Sequence, residues 1–217
     1  AANGSSSNNV MDVTISGNVA NNSGLAGNGT SYTLSAGSGF PTTSTGNILT
    51  FAVVDNTSNG VVGPGIFVST GNGSGQVVSG TIANNKIQNS KDTTSVSAGE
   101  GIIIITQGNP ASLPPPLPAS VIENVIIEGN TITKNQGRGI LITHSGANSN
   151  TVLRNILIDG NRIDQNDLAG IVISGGGLNS TGALVHDVTV SNNQVTNNLN
   201  QGISISGGTQ TINAVLT

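Results

Sequence analysis

Apolar and polar positions repeat along this chain with a period of about 31 residues. In the segment IENVIIEGNTITKNQGRGILI (122–142), aliphatic and polar residues alternate in two short runs, with Asn130 after the first run and Gly139 before the second. The same frame returns around Asn161 and Asn193, and in all three copies a glycine follows the asparagine by nine residues. Alternation over so few residues predicts short β-strands. A fixed period of this length predicts a solenoid of stacked coils.

The frame extends, less regularly, towards the beginning of the sequence. Six asparagines share one turn position and predict a ladder of amide side chains that hydrogen-bond from coil to coil: Asn18, Asn56, Asn85, Asn130, Asn161 and Asn193. Five glycines precede a strand, where we expect a tight corner that excludes a side chain or requires a positive φ: Gly65, Gly101, Gly139, Gly170 and Gly202. Aliphatic residues at matched offsets are predicted to stack into interior columns, one of which holds Ile127, Ile158 and Val190.

This pattern predicts one all-β domain, a right-handed parallel β-helix (solenoid) of about six coils, over residues 10–217. Residues 1–9 lack the frame and are predicted to be a flexible lead-in. Irregular spacing of the ladder asparagines predicts surface loops near residues 17–47, 90–99, 107–120 and 174–182.

Two of these segments admit a second interpretation. The segment 17–47 can hold a short extra strand pair around Tyr32–Leu34. The segment 107–120 contains five prolines, which disfavour a strand ladder, and can instead be a linker between domains.

Three segments, NTITKNQGRGILI, NRIDQNDLAGIVI and NQVTNNLNQGISI, resemble the coil repeat of right-handed parallel β-helix proteins of the pectate-lyase-like superfold. This superfold includes pectate lyases, polygalacturonases, alginate epimerases, phage tailspikes and adhesins, so the resemblance implies a fold and not one activity. The Asn-Thr-Asp, paired-Asp, Gly-His-Gly and Arg-Ile-Lys motifs of polygalacturonases do not occur in this sequence. No catalytic residue is therefore carried over from the resemblance.

Composition narrows the range of partners. Charged residues make up 7 % of the chain and the net charge is −4, so the sequence offers no basic patch for nucleic acid. The apolar run Ile102–Ile105 is too short to span a membrane. Aromatic residues make up only 2 %, which argues against a long glycan-binding groove.

Candidate chemistry rests on two carboxylates, Glu128 and Asp159, which occupy the same outward offset in adjacent coils. Stacked about 4.8 Å apart, they would raise each other's pKa, bind a cation such as calcium, or act as the pair of a retaining glycosidase. The alternative is ordinary solvent-facing charge. His144 and His186 lie at different offsets without a third ligand, so we predict a solvated position for both and no metal site or other cofactor.

The sequence therefore favours a non-enzymatic, extracellular structural protein, such as a self-assembling filament or surface-layer subunit. Scarce charge and the missing catalytic motifs motivate this hypothesis, as does a frame that restarts at Ile212 and Val215 and would leave a strand edge for end-to-end self-association. The alternative is a polysaccharide-active or glycan-binding module, namely a lyase, hydrolase, epimerase or tailspike-like protein. Acidic and basic residues clustered in one outward groove would favour that alternative.

Overall fold

The computed structural model describes residues 7–24, 29–37, 44–91, 99–107, 118–145, 151–175, 183–206 and 212–216, and every regular element within these ranges is a β-strand. The first coil contains β1 (Val10–Ser16), β2 (Val19–Asn21), β3 (Tyr32–Ser35) and β4 (Ser44–Thr45). The second contains β5 (Ile48–Val54), β6 (Thr57–Asn59), β7 (Ile66–Ser69) and β8 (Gly73–Ser74). The third contains β9 (Val77–Ala83), β10 (Lys86–Gln88) and β11 (Ile102–Gln107).

The remaining coils repeat a three-strand plan. The fourth contains β12 (Ser120–Glu128), β13 (Thr131–Thr133) and β14 (Ile140–Ser145). The fifth contains β15 (Thr151–Asp159), β16 (Arg162–Asp164) and β17 (Ile171–Ser174). The sixth contains β18 (Leu184–Ser191), β19 (Gln194–Thr196) and β20 (Ile203–Ser206), and β21 (Ile212–Leu216) follows it.

The strands form three long parallel sheets. Sheet A has the order β1-β5-β9-β12-β15-β18-β21, sheet B has β2-β6-β10-β13-β16-β19, and sheet C has β3-β7-β11-β14-β17-β20; β4 and β8 form a small separate pair. Neighbours in each long sheet come from consecutive coils, and all pair in parallel. The prediction of an all-β parallel β-helix of about six coils is confirmed. Parallel crossovers of this kind wind right-handed in about 98 % of proteins.

The interior consists of stacked aliphatic side chains from all three sheets. Ile127 pairs in register with Ile158, and Ile158 with Val190, and all three are buried. Sheet B adds a buried column that includes Ile132 and Ile163, because alternate residues of each strand point inward. Each fully buried aliphatic side chain contributes about 1.5–3 kcal/mol, so the columns provide the main stabilisation.

The turn from sheet A to sheet B, here called the A–B turn, is two residues long in every coil. Its first residue has a positive φ and is glycine, asparagine or aspartate, the types that adopt this conformation most readily. These residues are Gly17, Asp55, Asn84, Gly129, Gly160 and Asn192. Its second residue is always a ladder asparagine, so one local conformation carries the chain round this corner six times.

Two predicted boundaries differ from the structure. The segment 17–47 is not one loop, since it contains β2, β3 and β4. A strand does lie around Tyr32–Leu34, as the second interpretation allowed, but this strand, β3, pairs with β7 of the next coil, and its inward side chains Tyr32 and Leu34 are buried. The lead-in does not extend to residue 9: the backbone N–H of Asn8 donates to Thr45 O, and Asn9 Nδ2 donates to Asn47 Oδ1. In both segments polar or aromatic residues replace the aliphatic frame that defines the later coils. The predicted loops near 90–99, 107–120 and 174–182 lie largely outside the described residues.

Candidate functional site

The six predicted ladder asparagines form one continuous chain of side-chain hydrogen bonds at the A–B turn. Asn161 shows the arrangement: its Nδ2 lies 2.9 Å from Asn193 Oδ1 and 2.8 Å from Ile127 O, and its Oδ1 accepts from Asn130 Nδ2 at 2.9 Å. The same Nδ2-to-Oδ1 contact links Asn18 to Asn56, and further contacts link Asn56, Asn85 and Asn130. A buried amide needs partners for both its N–H and C=O groups, and stacking supplies them.

A second ladder lies in the turn from sheet B to sheet C. Asn135 Nδ2 donates to Asn166 Oδ1, and Asn166 Nδ2 donates to Asn198 Oδ1, both at 2.9 Å. In the coil before, the backbone N–H of Ser90 donates to Asn135 Oδ1. This ladder was not predicted from the sequence, although the second asparagine of NTITKN recurs five residues after the first in each repeat.

A third set of stacked polar side chains lies where the chain passes from sheet C to sheet A. This region, the connection together with the strand ends beside it, is here called the C–A corner. Asn9 Nδ2 donates to Asn47 Oδ1, the backbone N–H of Asn47 donates to Gln76 Oε1, and the backbone N–H of Gln76 donates to Ser120 Oγ at 3.3 Å. The residue type changes from coil to coil, so no repeated letter in the sequence marks this position.

Each predicted corner glycine up to Gly170 stands where a side chain would collide with the next coil. A Cβ on Gly139 would lie 2.5 Å from Ile163 Cγ2 and 2.6 Å from Gly170 O. The same two kinds of contact surround Gly65, Gly101 and Gly170, whereas a Cβ on Gly202 would meet nothing closer than 3.8 Å. None of the five has a positive φ, so the reason for glycine is close packing and not backbone conformation.

The outward carboxylates Glu128 and Asp159 are register neighbours, but they do not behave as the like-charge pair that one of the two hypotheses described. Asp159 Oδ1 accepts from Ser191 Oγ at 2.7 Å and from Asn192 Nδ2 at 2.8 Å. These hydrogen bonds, from Ser191 first, lower the pKa of Asp159, whereas the sequence-based hypothesis expected a raised pKa. The hydrogen bonds stabilise the charged form because their donors come from the next coil and point at one carboxylate oxygen.

Asp164 repeats this arrangement one turn further along its coil. Its Oδ1 accepts from Asn197 Nδ2 and Thr196 Oγ1, both at 2.9 Å, and its Oδ2 pairs with Arg162 at 2.7 Å. The hydrogen bonds from Asn197 and Thr196 are the main causes of its lowered pKa. A carboxylate bound by the next coil therefore recurs at both turns that flank sheet B.

Other charged groups are also paired between coils. Arg154 Nε donates to Glu123 Oε2 at 2.7 Å, joining the fourth and fifth coils. Arg138 Nη1 donates to Glu100 Oε1 at 2.9 Å, joining the third and fourth. These contacts bring acidic and basic groups together as local pairs on separate parts of the solenoid.

His144 is buried at the C–A corner, so the prediction of a solvated position is wrong for this residue. Its side chain is only 6 % exposed, its Nδ1 shares hydrogen bonds with Thr106 and Thr151, and its Nε2 has no partner among the described residues. Burial lowers its pKa to about 4, because the charged imidazolium is poorly solvated there. His186 is half-buried and contacts Asp187.

Within the described ranges, no group of three or more histidine, aspartate or glutamate side chains is placed to hold a metal ion. The part of the chain that the structure describes also contains no helix of the length and apolarity needed to cross a membrane. Comparison of the chain with protein-family models, curated proteins and solved structures gives no match.

Proposed function

We propose that this chain is a non-enzymatic, extracellular structural protein whose β-helix associates end to end. The observation that carries the proposal is the use of its polar and charged side chains: the amides form ladders, and Asp159, Asp164 and Glu123 each bind a residue of the next coil. Groups with these roles join each coil to the next one. The extracellular setting is supported by the resemblance to pectate-lyase-like β-helices, which include adhesins and tailspikes.

The proposed association uses the strand edges at the two ends of the solenoid. One end presents β1, β2 and β3, and the other presents β19, β20 and β21. Val19 on β2 is 68 % exposed, and interior residues of the end coils, such as Val13 and Val195, are only partly buried. Uncovered strand edges pair readily with other strands, and a head-to-tail contact that does not close into a ring propagates as a filament.

The edge of β2 provides a specific test. Thr57 N donates to Asn18 O, and Asn22 N donates to Asn59 O, so β2 uses alternate residues to pair with β6 and the peptide N–H of Val19 points to the outer edge. Val19→Pro removes this N–H while sparing the bonds to β6, because proline is tolerated in edge strands whose N–H points away. We expect this variant to reduce end-to-end assembly at least tenfold, measured by light scattering and electron microscopy.

Val19→Ala is the matched control, because it shortens the side chain and keeps the N–H. Circular dichroism should show equal strand content in the parent and both variants. Assembly of Val19→Pro at the parent's rate would exclude β2 as an assembly edge, and a parent that stays monomeric at high concentration would exclude the filament.

The enzymatic alternative makes a different prediction. We expect incubation with pectate, polygalacturonate or alginate, with and without calcium, to release no unsaturated or reducing ends. Turnover that is lost in Glu128→Gln or Asp159→Asn would overturn the structural proposal and assign the activity, with calcium if required, to this carboxylate pair.

A further inference from the structure

The outer face of sheet A carries two columns of mainly apolar side chains along the length of the solenoid. The first, outer column one, pairs in register through all six coils and consists of Val10, Ile48, Val77, Val121, Val152 and Leu184. Ile48 is 41 % exposed and Leu184 36 %, so these side chains lie outside the core. The second, outer column two, consists of Thr14, Ala52, Thr81, Ile126, Leu157, Thr189 and Val215.

The outer faces of the other two sheets differ from this one: that of sheet B is more polar, and that of sheet C carries one shorter apolar column, formed by Phe67, Ile103, Leu141 and Val172. The outward positions at the start of the sheet B strands are mostly polar or charged: Thr57, Lys86, Thr131, Arg162 and Gln194. Contiguous exposed apolar surface on a protein usually marks an interaction site. We propose that the outer face of sheet A packs against the same face of a second copy of this chain, with the two solenoids antiparallel.

The face is large enough for a stable dimer. Six facing strands spaced about 4.8 Å apart and seven residues of about 3.3 Å each give a flat area of roughly 670 Å². Two such faces would bury roughly 1,300 Å², which reaches the range of specific protein–protein interfaces. This width includes the column of Glu128 and Asp159 at one edge of the face, where the antiparallel pairing sets them opposite Ala83 and Val54 of the partner copy. Sheets pack face to face at about 10 Å, the separation that side chains of this size fill.

Side-chain size favours the antiparallel arrangement. In this arrangement a two-fold axis runs parallel to the strands, between the third and fourth coils. The first coil of one copy then lies opposite the sixth coil of the other, the second opposite the fifth, and the third opposite the fourth. Ile126 then faces Thr81 of the partner copy, and Leu157 faces its Ala52. The bulky residues of the fourth and fifth coils thus fit against the small residues of the third and second.

Charge favours the same arrangement. Between the two columns, the middle positions carry an exposed Asp12 in the first coil and half-buried Glu123, Arg154 and His186 in the fourth, fifth and sixth. The antiparallel pairing places His186 opposite Asp12, and Arg154 opposite the neutral Thr50. A parallel pairing would set Glu123 against Glu123 and Arg154 against Arg154, which would repel.

This lateral pairing does not depend on the end-to-end association, and the experiment separates the two. Sedimentation velocity over a range of concentrations is measured for the parent and for Val19→Pro, in which the β2 edge is blocked. We expect a monomer–dimer equilibrium in Val19→Pro. Ile126→Lys in that background should weaken dimerisation at least tenfold, because the ammonium group would be buried without a partner.

Thr143→Lys is the control, because it adds the same charge in the same coil but on the outer face of sheet C. It should leave the dimer unchanged. Ile126 is 37 % exposed, so its replacement by lysine should not unfold the chain, which circular dichroism checks. The proposal would be overturned if the Val19→Pro chain remained monomeric at all concentrations, even if its sheet A face bound some other partner. It would also be overturned if the dissociation constant of the dimer did not change in Ile126→Lys.

A mixing experiment tests the orientation. Ile126→Lys and Thr81→Asp should each dimerise poorly alone. An equimolar mixture should recover heterodimers, because the new lysine faces the new aspartate across one contact and the parent residues face each other across the second. Absence of recovery would exclude the antiparallel arrangement.

Discussion

The A–B turn, which connects sheet A to sheet B, has a constant length, whereas the C–A corner, which connects sheet C to sheet A, varies in length. The A–B turn has two residues in all six coils, and each time a positive-φ residue precedes a ladder asparagine. The connection at the C–A corner varies from five residues (146–150) to twelve (108–119). Its buried polar side chains also vary, with glutamine at position 76, serine at 120 and threonine at 151.

This difference shows that the length of a connection controls whether the same side-chain contact can repeat in every coil. A turn of constant length places its side chain at the same height in every coil, so one amide can stack on the next. A connection of variable length brings different groups together in each coil, and each cluster must satisfy its own hydrogen bonds. The C–A corner is accordingly where a histidine is buried and where one of its nitrogens has no partner among the described residues.

The largest effect is expected in the strand that leads into the A–B turn. Ile158 is fully buried and its carbonyl accepts Asn193 Nδ2, whereas the preceding Leu157 lies on the outer face and is half-buried. Ile158→Asp should cost more than about 4 kcal/mol and unfold much of the solenoid, because it buries an unpaired charge. Leu157→Asp should cost about 1 kcal/mol or less. Thermal denaturation compares the two, and similar melting temperatures would mean that the inner and outer faces of β15 are misassigned.

The A–B turn was predictable from the sequence because it repeats. A nearly constant spacing, 31 residues from Asn130 to Asn161 and 32 from Asn161 to Asn193, indicates the register of the strands on both sides, and the interior columns follow from alternation. The interior assignment of Ile158 also places Leu157 on the outer face, but the extent of that face depends on which residues pair in the earlier, irregular coils. The pairing of strands shows that Thr14, Ala52 and Thr81 continue the outer column of Ile126 and Leu157.

Above pH 4, we expect His144 at the C–A corner to cause the steepest change of the free energy of unfolding with pH. The pKa of His144 is about 4 in the folded chain, against 6.5 for an ordinary histidine. As the pH falls from about 6.5 to 4, the unfolded chain binds a proton that the folded chain does not, so stability decreases. The total loss is about 3 kcal/mol, from 1.36 kcal/mol per pKa unit. Urea denaturation at several pH values measures it.

His144→Gln is the control for this pH dependence, because glutamine can still hydrogen-bond Thr106 and Thr151 but does not titrate. The variant should lose most of the slope between pH 6.5 and 4. Asp159 and Asp164 contribute below this window, since their lowered pKa values delay the loss of their stabilisation to lower pH. An unchanged slope in His144→Gln would mean that His144 is solvated in the folded chain.

The candidate site was less predictable than the fold, since its chemistry depends on contacts across coils. The sequence indicated that Glu128 and Asp159 share an offset, and the structure confirms that register. The sequence did not indicate that Ser191 and Asn192 would both donate to Asp159, because these residues belong to the next coil. Burial of His144 was missed for a similar reason: its partners Thr106 and Thr151 lie 38 residues before it and seven after it.

The smallest expected effect tests the repeated amide itself. Asn161→Ala removes a donor to Asn193 Oδ1 and Ile127 O and an acceptor for Asn130, which leaves neighbouring amides unsatisfied in a buried turn. We expect a loss of about 1–3 kcal/mol, measured by urea denaturation. Asn200→Ala, at an exposed position beyond the second turn, should fall within about 0.5 kcal/mol of the parent. Asn193→Ala should lie between the two, because its side chain bonds a ladder partner only in the preceding coil. Equal losses at all three positions would show that stacking from coil to coil adds nothing to the stability of the A–B turn.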